Sequence, residues 1–477
     1  MQESKIRLFI RSKNFAFFIV VLGSFMSAID ASVVGIALPS MSKFFNAGLT
    51  HIQWIITMYG LGIVSLLPVA SKLGNRLGQN KVYTLGFSLF GIGSLFCTMS
   101  PSLEAVIFSR LVQAAGAAMM FALAQSVVAS IFTGVKRGQS LGMIGACVAM
   151  GNIAGPSLGG FLLDTFGWRS IFYINLPIAV LGALGAYNSL PRIKRRKLGK
   201  INLTSLFFFI ISSVSFIGGI SLAENAGWAS PHIIAMIATG ILFGILLFRY
   251  ERNSKSPLID LGLYATNKVF AYGNAAMIIV FVAGSINAIL IPFYLQDIYG
   301  LTALKTGMLI LAFSISMIVT APLSGRLSAK TNSSRAFTVG GMALYIVGML
   351  WYMTLGPTYQ AYKIIIGQLI MGIGNGMFQS PNNNSVMSSV PRKLYNEVSG
   401  LNALARNIGI AAGAALTVNI FASFQKHFEL AGAGHAVAFS TAYHYTLVFG
   451  ILMAFSAAVL SYYGKAPDKI ENYDTQI

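Results

Sequence analysis

Long apolar stretches, separated by short polar segments, recur along the whole chain. Each is about 20 residues or longer, the length that an α-helix needs to cross the hydrocarbon core of a bilayer. The pattern predicts fourteen transmembrane helices. Their approximate limits are 14–37, 52–71, 82–99, 104–132, 140–163, 171–190, 203–222, 231–249, 270–294, 304–325, 336–355, 361–389, 398–423 and 441–463. We therefore expect an all-α integral membrane protein without an extramembrane domain.

Composition and charge agree with this pattern. Hydrophobic residues make up 55% of the chain and charged residues only 10%, whereas soluble domains carry about 25% charged residues. If both termini are cytoplasmic, 26 of the 33 Lys and Arg fall in cytoplasmic loops and 5 fall on the other side. This asymmetry follows the positive-inside rule and predicts an even number of spans with both ends inside. The topology of the chain in the membrane thus explains the net charge of +20, and we do not expect nucleic acid as a partner.

The order of spans predicts two bundles. The longest basic loop, residues 191–200, follows the sixth span, and two further spans precede the last six. The predicted organisation is a six-helix bundle at 1–200, an inserted helix pair at 201–250 and a second six-helix bundle at 251–477. A weak echo between the segments 68–76 and 322–330 hints at a transporter built from internal repeats.

One carboxylate, Asp30, lies inside the first span, where a charge costs a few kcal/mol and is functional by default. The rise of an α-helix places Asp30 roughly 24 Å from the cytoplasmic edge and Arg110, in the oppositely directed fourth span, about 9 Å from the other edge. In a core about 30 Å thick these depths agree. We expect the two side chains to meet or to face one cavity. Asp30 and Arg110 are the candidate proton- or cation-binding residues, Arg110 by orienting a water of the proton path or by setting the pKa of Asp30. A purely structural pairing is the alternative for Asp30.

Enzymatic chemistry has little support in the sequence. Neither the five histidines nor Cys97 and Cys147 show metal-ligand spacing. A nucleotide-binding loop of the Gly-x-x-x-x-Gly-Lys-Ser/Thr type is missing from the sequence. We expect no metal, no cofactor and no catalytic residues.

Five stretches resemble the major facilitator superfamily, and specifically its fourteen-helix drug:proton antiporter branch. They are Asp30–Pro39 (DASVVGIALP), Leu73–Lys81 (LGNRLGQNK), Arg110–Gly116 (RLVQAAG), Gly151–Gly160 (GNIAGPSLGG) and Gly167–Pro177 (GWRSIFYINLP). The resemblance implies the major facilitator fold, with two six-helix bundles and two inserted helices. The Gly-Pro stretch and the Trp-Arg…Asn-x-Pro stretch are its most specific parts.

The resemblance also assigns candidate roles. Asn75, Arg76, Gly78 and Lys81 match a cytoplasmic gating loop, although Asn75 replaces the usual aspartate and cannot form its ion pair. The candidate exporter helix has small residues for close helix packing and a proline for a kink or hinge, with plain tight packing as the alternative. Its residues are Gly151, Gly155, Pro156, Gly159 and Gly160.

Further side chains are candidates for lining a substrate cavity, with simple packing as the alternative for each. They are Gln113, Trp54, Tyr59, Phe281, Tyr294, Phe378 and Arg406. The polar tract at 379–385 contains Pro381, which we expect to break the helix. The tract is then either cavity lining or an early end of the span.

By resemblance, the chain is a proton-coupled antiporter that exports cationic or amphipathic small molecules by alternating access. Proton motive force would drive it, and it would work as a monomer in the cytoplasmic membrane of a bacterium. Export of an endogenous metabolite or a lipid-like compound is the alternative within transport. A non-transporting sensor of the same fold is a remote alternative.

Overall fold

The computed structural model describes residues 12–132, 134–190, 202–227, 230–252, 254, 261–331, 333–356, 358–390 and 395–464. Fourteen helices of fifteen residues or more lie in this part of the chain, and we number them α1–α14. Their bounds are α1 Lys13–Phe45, α2 Trp54–Leu77, α3 Gln79–Met99, α4 Leu103–Ile131, α5 Gly134–Phe166, α6 Asn175–Ser189, α7 Leu203–Ala226, α8 Pro231–Arg252, α9 Lys268–Phe293, α10 Ala303–Thr331, α11 Ser334–Tyr352, α12 Ala361–Ser388, α13 Tyr395–Leu430 and α14 His435–Tyr463. Short helices precede α2, α6 and α9, and a π-helical turn follows α9.

These fourteen helices coincide with the fourteen predicted spans. Within the described residues, eleven segments are long and apolar enough to cross a membrane. Helices α5, α11 and α12 fall outside that group. The chain is thus an all-α multi-pass membrane protein.

The polar tract at the end of α12 corrects one expectation. Pro381 lies inside α12, which runs unbroken from Ala361 to Ser388, so the predicted helix break is wrong. Proline removes one backbone hydrogen bond, but neighbouring helices and polar side chains can hold such a segment in place. Here Asn382 Nδ2 donates to the carbonyl of Gly273 on α9, at 3.1 Å.

The segment between the second and third predicted spans is a second correction, because most of it is helical; the gating role of its residues stays a prediction. Helix α2 continues to Leu77, and α3 begins at Gln79, so that Gly78 alone connects them. Its φ of +97° is readily adopted only by glycine, which lets the chain turn in a single residue. Arg76 and Lys81 are exposed, and the side chain of Asn75 lies outside the described set.

The described residues form two compact units. The first extends to Ser215 and also includes 239–247, while the second contains 216–238, 248–254 and the described chain from residue 261 onward. Helices α7 and α8 are therefore divided between the units. The basic loop 191–200 lies outside the described residues, and the three-part organisation drawn from the sequence stays a prediction.

Candidate functional site

Asp30 lies fully buried on α1 and forms an ion pair with Arg110 of α4. The distance from Arg110 Nη1 to Asp30 Oδ2 is 2.6 Å, and the two side chains are 1% and 0% exposed, Arg110 first. A charge-assisted bond of this length is among the strong hydrogen bonds of proteins. The first unit thus places one negative and one positive charge together at membrane depth.

Two amides complete the surroundings of the carboxylate. Gln113 Nε2, one turn along α4 from Arg110, donates to Asp30 Oδ1 at 2.8 Å. Asn175 Nδ2, at the first residue of α6, donates to the same oxygen at 2.9 Å. Because both oxygens of Asp30 accept bonds, the ionised form is well solvated by protein.

Arg110 has further partners besides the carboxylate. Its Nε donates to the carbonyl of Ile55 on α2, at 3.3 Å, and Nη1 donates to Gln113 Oε1. The guanidinium carbon lies 3.9 Å from the ring centre of Tyr59 and 5.9 Å from that of Phe172, within reach of cation–π attraction. The Tyr59 hydroxyl has no hydrogen-bond partner within the described structure. The cation therefore has several contacts besides the carboxylate.

The polar network extends to α3 through Ser94. Gln113 Nε2 donates to Ser94 Oγ at 2.9 Å, and Ser94 Oγ donates to the Phe90 carbonyl at 2.9 Å. Neither Ser94 nor Asn175 was among the residues selected from the sequence. Asn175 does belong to the quoted stretch Gly167–Pro177, and that stretch was the available signal. Ser94 carries no sequence signal of its own.

The segment leading into α6 is fixed by Arg169. Its Nε donates to the Thr98 carbonyl at 3.1 Å and its Nη2 to the Ser100 carbonyl at 3.2 Å, at the end of α3. The guanidinium also lies 4.3 Å from the ring centre of Trp168. Arg169 thereby ties the start of α6, and with it Asn175, to α3.

The glycine face of α5 packs tightly against α1 beside Asp30. A Cβ on Gly151 would lie 2.9 Å from the Cβ of Ala28, and one on Gly159 would lie 2.8 Å from Cγ1 of Val33. A Cβ on Gly155 would overlap Ser32 Oγ. Pro156 and Gly160 are buried in the same helix.

The remaining candidates separate by unit. In the first unit Gln113 and Tyr59 reach the ion pair, whereas Trp54 is half-buried at the start of α2. In the second unit Tyr294 and Phe378 are fully buried, and Tyr294 Oη donates to the Gly356 carbonyl. Phe281 on α9 and Arg406 on α13, also in the second unit, are half-buried.

Comparisons with known proteins agree on the kind of protein. The sequence profile of the Major Facilitator Superfamily matches residues 20–414. The riboflavin transporter RibZ of Clostridioides difficile is 31% identical, over 91% of this chain and 94% of RibZ. The multidrug resistance protein Stp of Mycobacterium tuberculosis is 29% identical, over 86% of this chain and 77% of Stp.

One solved structure shows the same fold. It is that of a bacterial homologue of the human lysosomal transporter Spinster, in an inward-facing, unoccupied conformation. The TM-score is 0.69 at 15% identity, and the match covers 95% of this chain and 96% of the other.

Proposed function

Because this chain belongs to the major facilitator superfamily and is a membrane transporter, we propose that it exports cationic or amphipathic small molecules in exchange for protons. The buried pair of Asp30 and Arg110 carries the proposal. Relatives named as multidrug resistance proteins, Stp among them, support this class of substrate. The transport cycle is alternating access, in which the site opens to one side of the membrane at a time.

Asp30 is the proposed proton acceptor. Protonation removes its charge and turns one acceptor oxygen into a donor, so its bonds to Arg110 and to the amides of Gln113 and Asn175 cannot all persist. Arg110 keeps the Ile55 carbonyl, Gln113 Oε1 and the Tyr59 ring. The unit therefore tolerates both charge states and rearranges when it passes between them.

Exchange requires that proton and substrate compete for one carboxylate. A cationic substrate is attracted to ionised Asp30 and is repelled once Asp30 is protonated and Arg110 stands uncompensated. In this scheme the proton motive force drives export, and the protein uses no cofactor. The excess of basic residues in alternate loops supports placing both termini in the cytoplasm and the protein in the cytoplasmic membrane, where we propose that it acts as a monomer.

A second candidate function is transport of an endogenous metabolite. The 31% identity with a protein named as a riboflavin transporter favours it, because that relative matches over nearly the whole of both chains. The two candidates differ in substrate, and the proposed coupling through Asp30 is common to both.

Transport into inside-out vesicles tests the proposal. An imposed proton gradient should drive uptake of a monovalent organic cation by the wild type, and Asp30→Asn should abolish that uptake. Asp164→Asn, at an exposed acid near the end of α5, is the matched control and should retain it. A panel of monovalent, divalent and neutral compounds separates the two candidate functions. Undiminished gradient-driven uptake by Asp30→Asn would refute the role of Asp30.

A further inference from the structure

The two units repeat the same helix contacts, which allows their polar residues to be compared. A Cβ on Gly116 of α4 would lie 2.5 Å from the Gly86 carbonyl oxygen on α3. A Cβ on Gly374 of α12 would lie 2.5 Å from the Gly341 carbonyl oxygen on α11. The α11–α12 contact in the second unit thus reproduces the α3–α4 contact in the first.

This repeat aligns Gln368 with Arg110. Arg110 precedes Gly116 by six residues on α4, and Gln368 precedes Gly374 by six residues on α12. The fully buried guanidinium of the first unit therefore has a fully buried amide as its counterpart.

The contact of α1 with α5 is repeated by α9 and α13. A Cβ on Gly155 would overlap Ser32 Oγ, and a Cβ on Gly413 would overlap Ser285 Oγ. The two serines thus occupy equivalent positions on α1 and α9, each facing the glycine of the partner helix.

The second unit therefore lacks both charges of the ion pair at the equivalent positions. Asp30 lies two residues before Ser32, and Ala283 lies two residues before Ser285. A second polar side chain on this part of α9, besides Ser285, is Asn287, one turn beyond Ala283. Its amide pairs with that of Gln368. Asn287 Nδ2 donates to Gln368 Oε1 and Gln368 Nε2 donates to Asn287 Oδ1, both at 3.1 Å.

This amide pair has unused hydrogen-bonding capacity. A carboxamide offers two N–H groups and two lone pairs, and the reciprocal pair uses one of each on either side. The Gln368 amide also lies against the Tyr352 hydroxyl, so the unused capacity is mainly that of Asn287. Asn287 is only half-buried, whereas Gln368 is 0% exposed.

A further polar group lies on the same stretch of α9. Tyr345 Oη is fully buried and has no hydrogen-bond partner within the described structure. It lies 3.8 Å from where a Cβ on Gly284 would be, and Gly284 is one turn before Asn287. In the repeat, Tyr345 follows Gly341 by four residues, as Phe90 follows Gly86, so the hydroxyl is an addition of the second unit.

We propose that Asn287 and Gln368 form a substrate-reading site for neutral groups that carry an N–H beside a C=O, as in a cyclic imide or a lactam. Such an edge can take the place of one amide and satisfy the other with the same donor–acceptor pattern. The proposal rests on the transport function proposed above and adds a specificity to it. In this scheme Asp30 and Arg110 of the first unit bind the proton, and Asn287 and Gln368 of the second unit bind the neutral group of the substrate.

Equilibrium binding to the purified full-length protein tests this site. The probes are lumichrome, a fluorescent tricycle whose two ring N–H groups each adjoin a carbonyl, and its 1,3-dimethyl derivative, which has no N–H. Leaving a buried amide unsatisfied costs about 1–3 kcal/mol, so the wild type should bind lumichrome about 5- to 150-fold more tightly than the methylated compound. Damage to the protein as a whole would weaken the binding of both compounds, so it would change the ratio of their affinities little.

The variants follow from the geometry. The double variant Asn287→Leu/Gln368→Leu removes both amides, so neither is left without its partner. The affinities for the two compounds should then agree within about twofold. Asn274→Leu, at a buried asparagine on α9 that bonds its own helix, is the matched control and should keep the wild-type ratio.

Two results would overturn the proposal. One is a wild type that does not bind lumichrome or binds both compounds equally, and the other is a ratio that survives in the double variant. In either case the amide pair only joins α9 to α12. Because binding is measured without a proton gradient, these outcomes are independent of whether Asp30 couples transport to protons.

Discussion

Removing the two charges of the first unit, singly and together, tests whether Asp30 and Arg110 stabilise the protein as a pair. The single variants are Asp30→Leu and Arg110→Met, and the double variant combines them. Both side chains are at most 1% exposed, so a remaining charge cannot turn to solvent. Breaking a buried ion pair by removing one partner costs about 3–5 kcal/mol, whereas replacing both partners by apolar groups is often nearly neutral.

The remaining contacts set the magnitude for each variant. Arg110→Met leaves Asp30 with the amides of Gln113 and Asn175, so we expect a loss near the lower limit, about 3 kcal/mol. Asp30→Leu leaves Arg110 with a carbonyl and an aromatic ring but also orphans the two amides, which gives a similar loss. The double variant leaves only the amides of Gln113 and Asn175 without their acceptor, which should lower the free energy of unfolding by about 1–3 kcal/mol. The coupling energy, which is the sum of the two single losses minus the loss in the double variant, should therefore be about 3–5 kcal/mol.

Unfolding of the purified protein by SDS in mixed micelles, followed by tryptophan fluorescence, measures these differences. The control cycle pairs Asp30→Leu with Arg335→Met, since Arg335 belongs to the second unit and its guanidinium lies over the ring of Tyr462. That cycle should give a coupling within about 0.5 kcal/mol of zero. A coupling just as small between Asp30 and Arg110 would show that the pair makes no net contribution to stability, and the reasoning above would then be wrong.

Two further predictions concern helix packing. Gly155→Ala should lower the thermal stability and the transport rate together, because its Cβ would overlap Ser32 Oγ beside the site; Gly340→Ala, whose Cβ would meet only a side chain at 3.7 Å, should leave both unchanged, and equal behaviour of the two variants would contradict the packing. Asn80→Leu should cost about 1–3 kcal/mol, since its buried amide donates to three carbonyls at the end of α6. The exposed control Asn188→Leu should cost less than about 0.5 kcal/mol, and SDS unfolding that ranks them otherwise would count against this role.

The sequence predicts the number and order of the helices because lipid imposes a length of apolar chain on each span. The same reading misses the helix ends, since helices continue past the hydrocarbon core. Helix α1 ends at Phe45 and α13 at Leu430, both about two turns beyond the predicted spans. The prediction that Pro381 breaks its helix was wrong. Whether a proline breaks a membrane helix depends on the side chains packed around it, and tertiary packing determines these.

Depth in the membrane predicted that Asp30 and Arg110 would meet or face one cavity, since helical rise converts sequence position into height in the membrane. The other partners were less accessible. Asn175 and Ser94 are residue types that occur widely in helices, and only the way that α3 and α6 pack on α1 and α4 gives them their roles. The pairing of Asn287 with Gln368 was equally hidden, because neither residue carries a charge that stands out in an apolar span.

The attachment of α6 to α3 at both ends constrains how the first unit can move. Arg169 holds the start of α6 to the end of α3, and Asn80 holds the end of α6 to the start of α3. Sliding or tilting one helix against the other would break bonds at both ends at once. The two helices therefore form a rigid pair, and in the proposed transport cycle the motion that exposes Asp30 would fall to the helices packed around them.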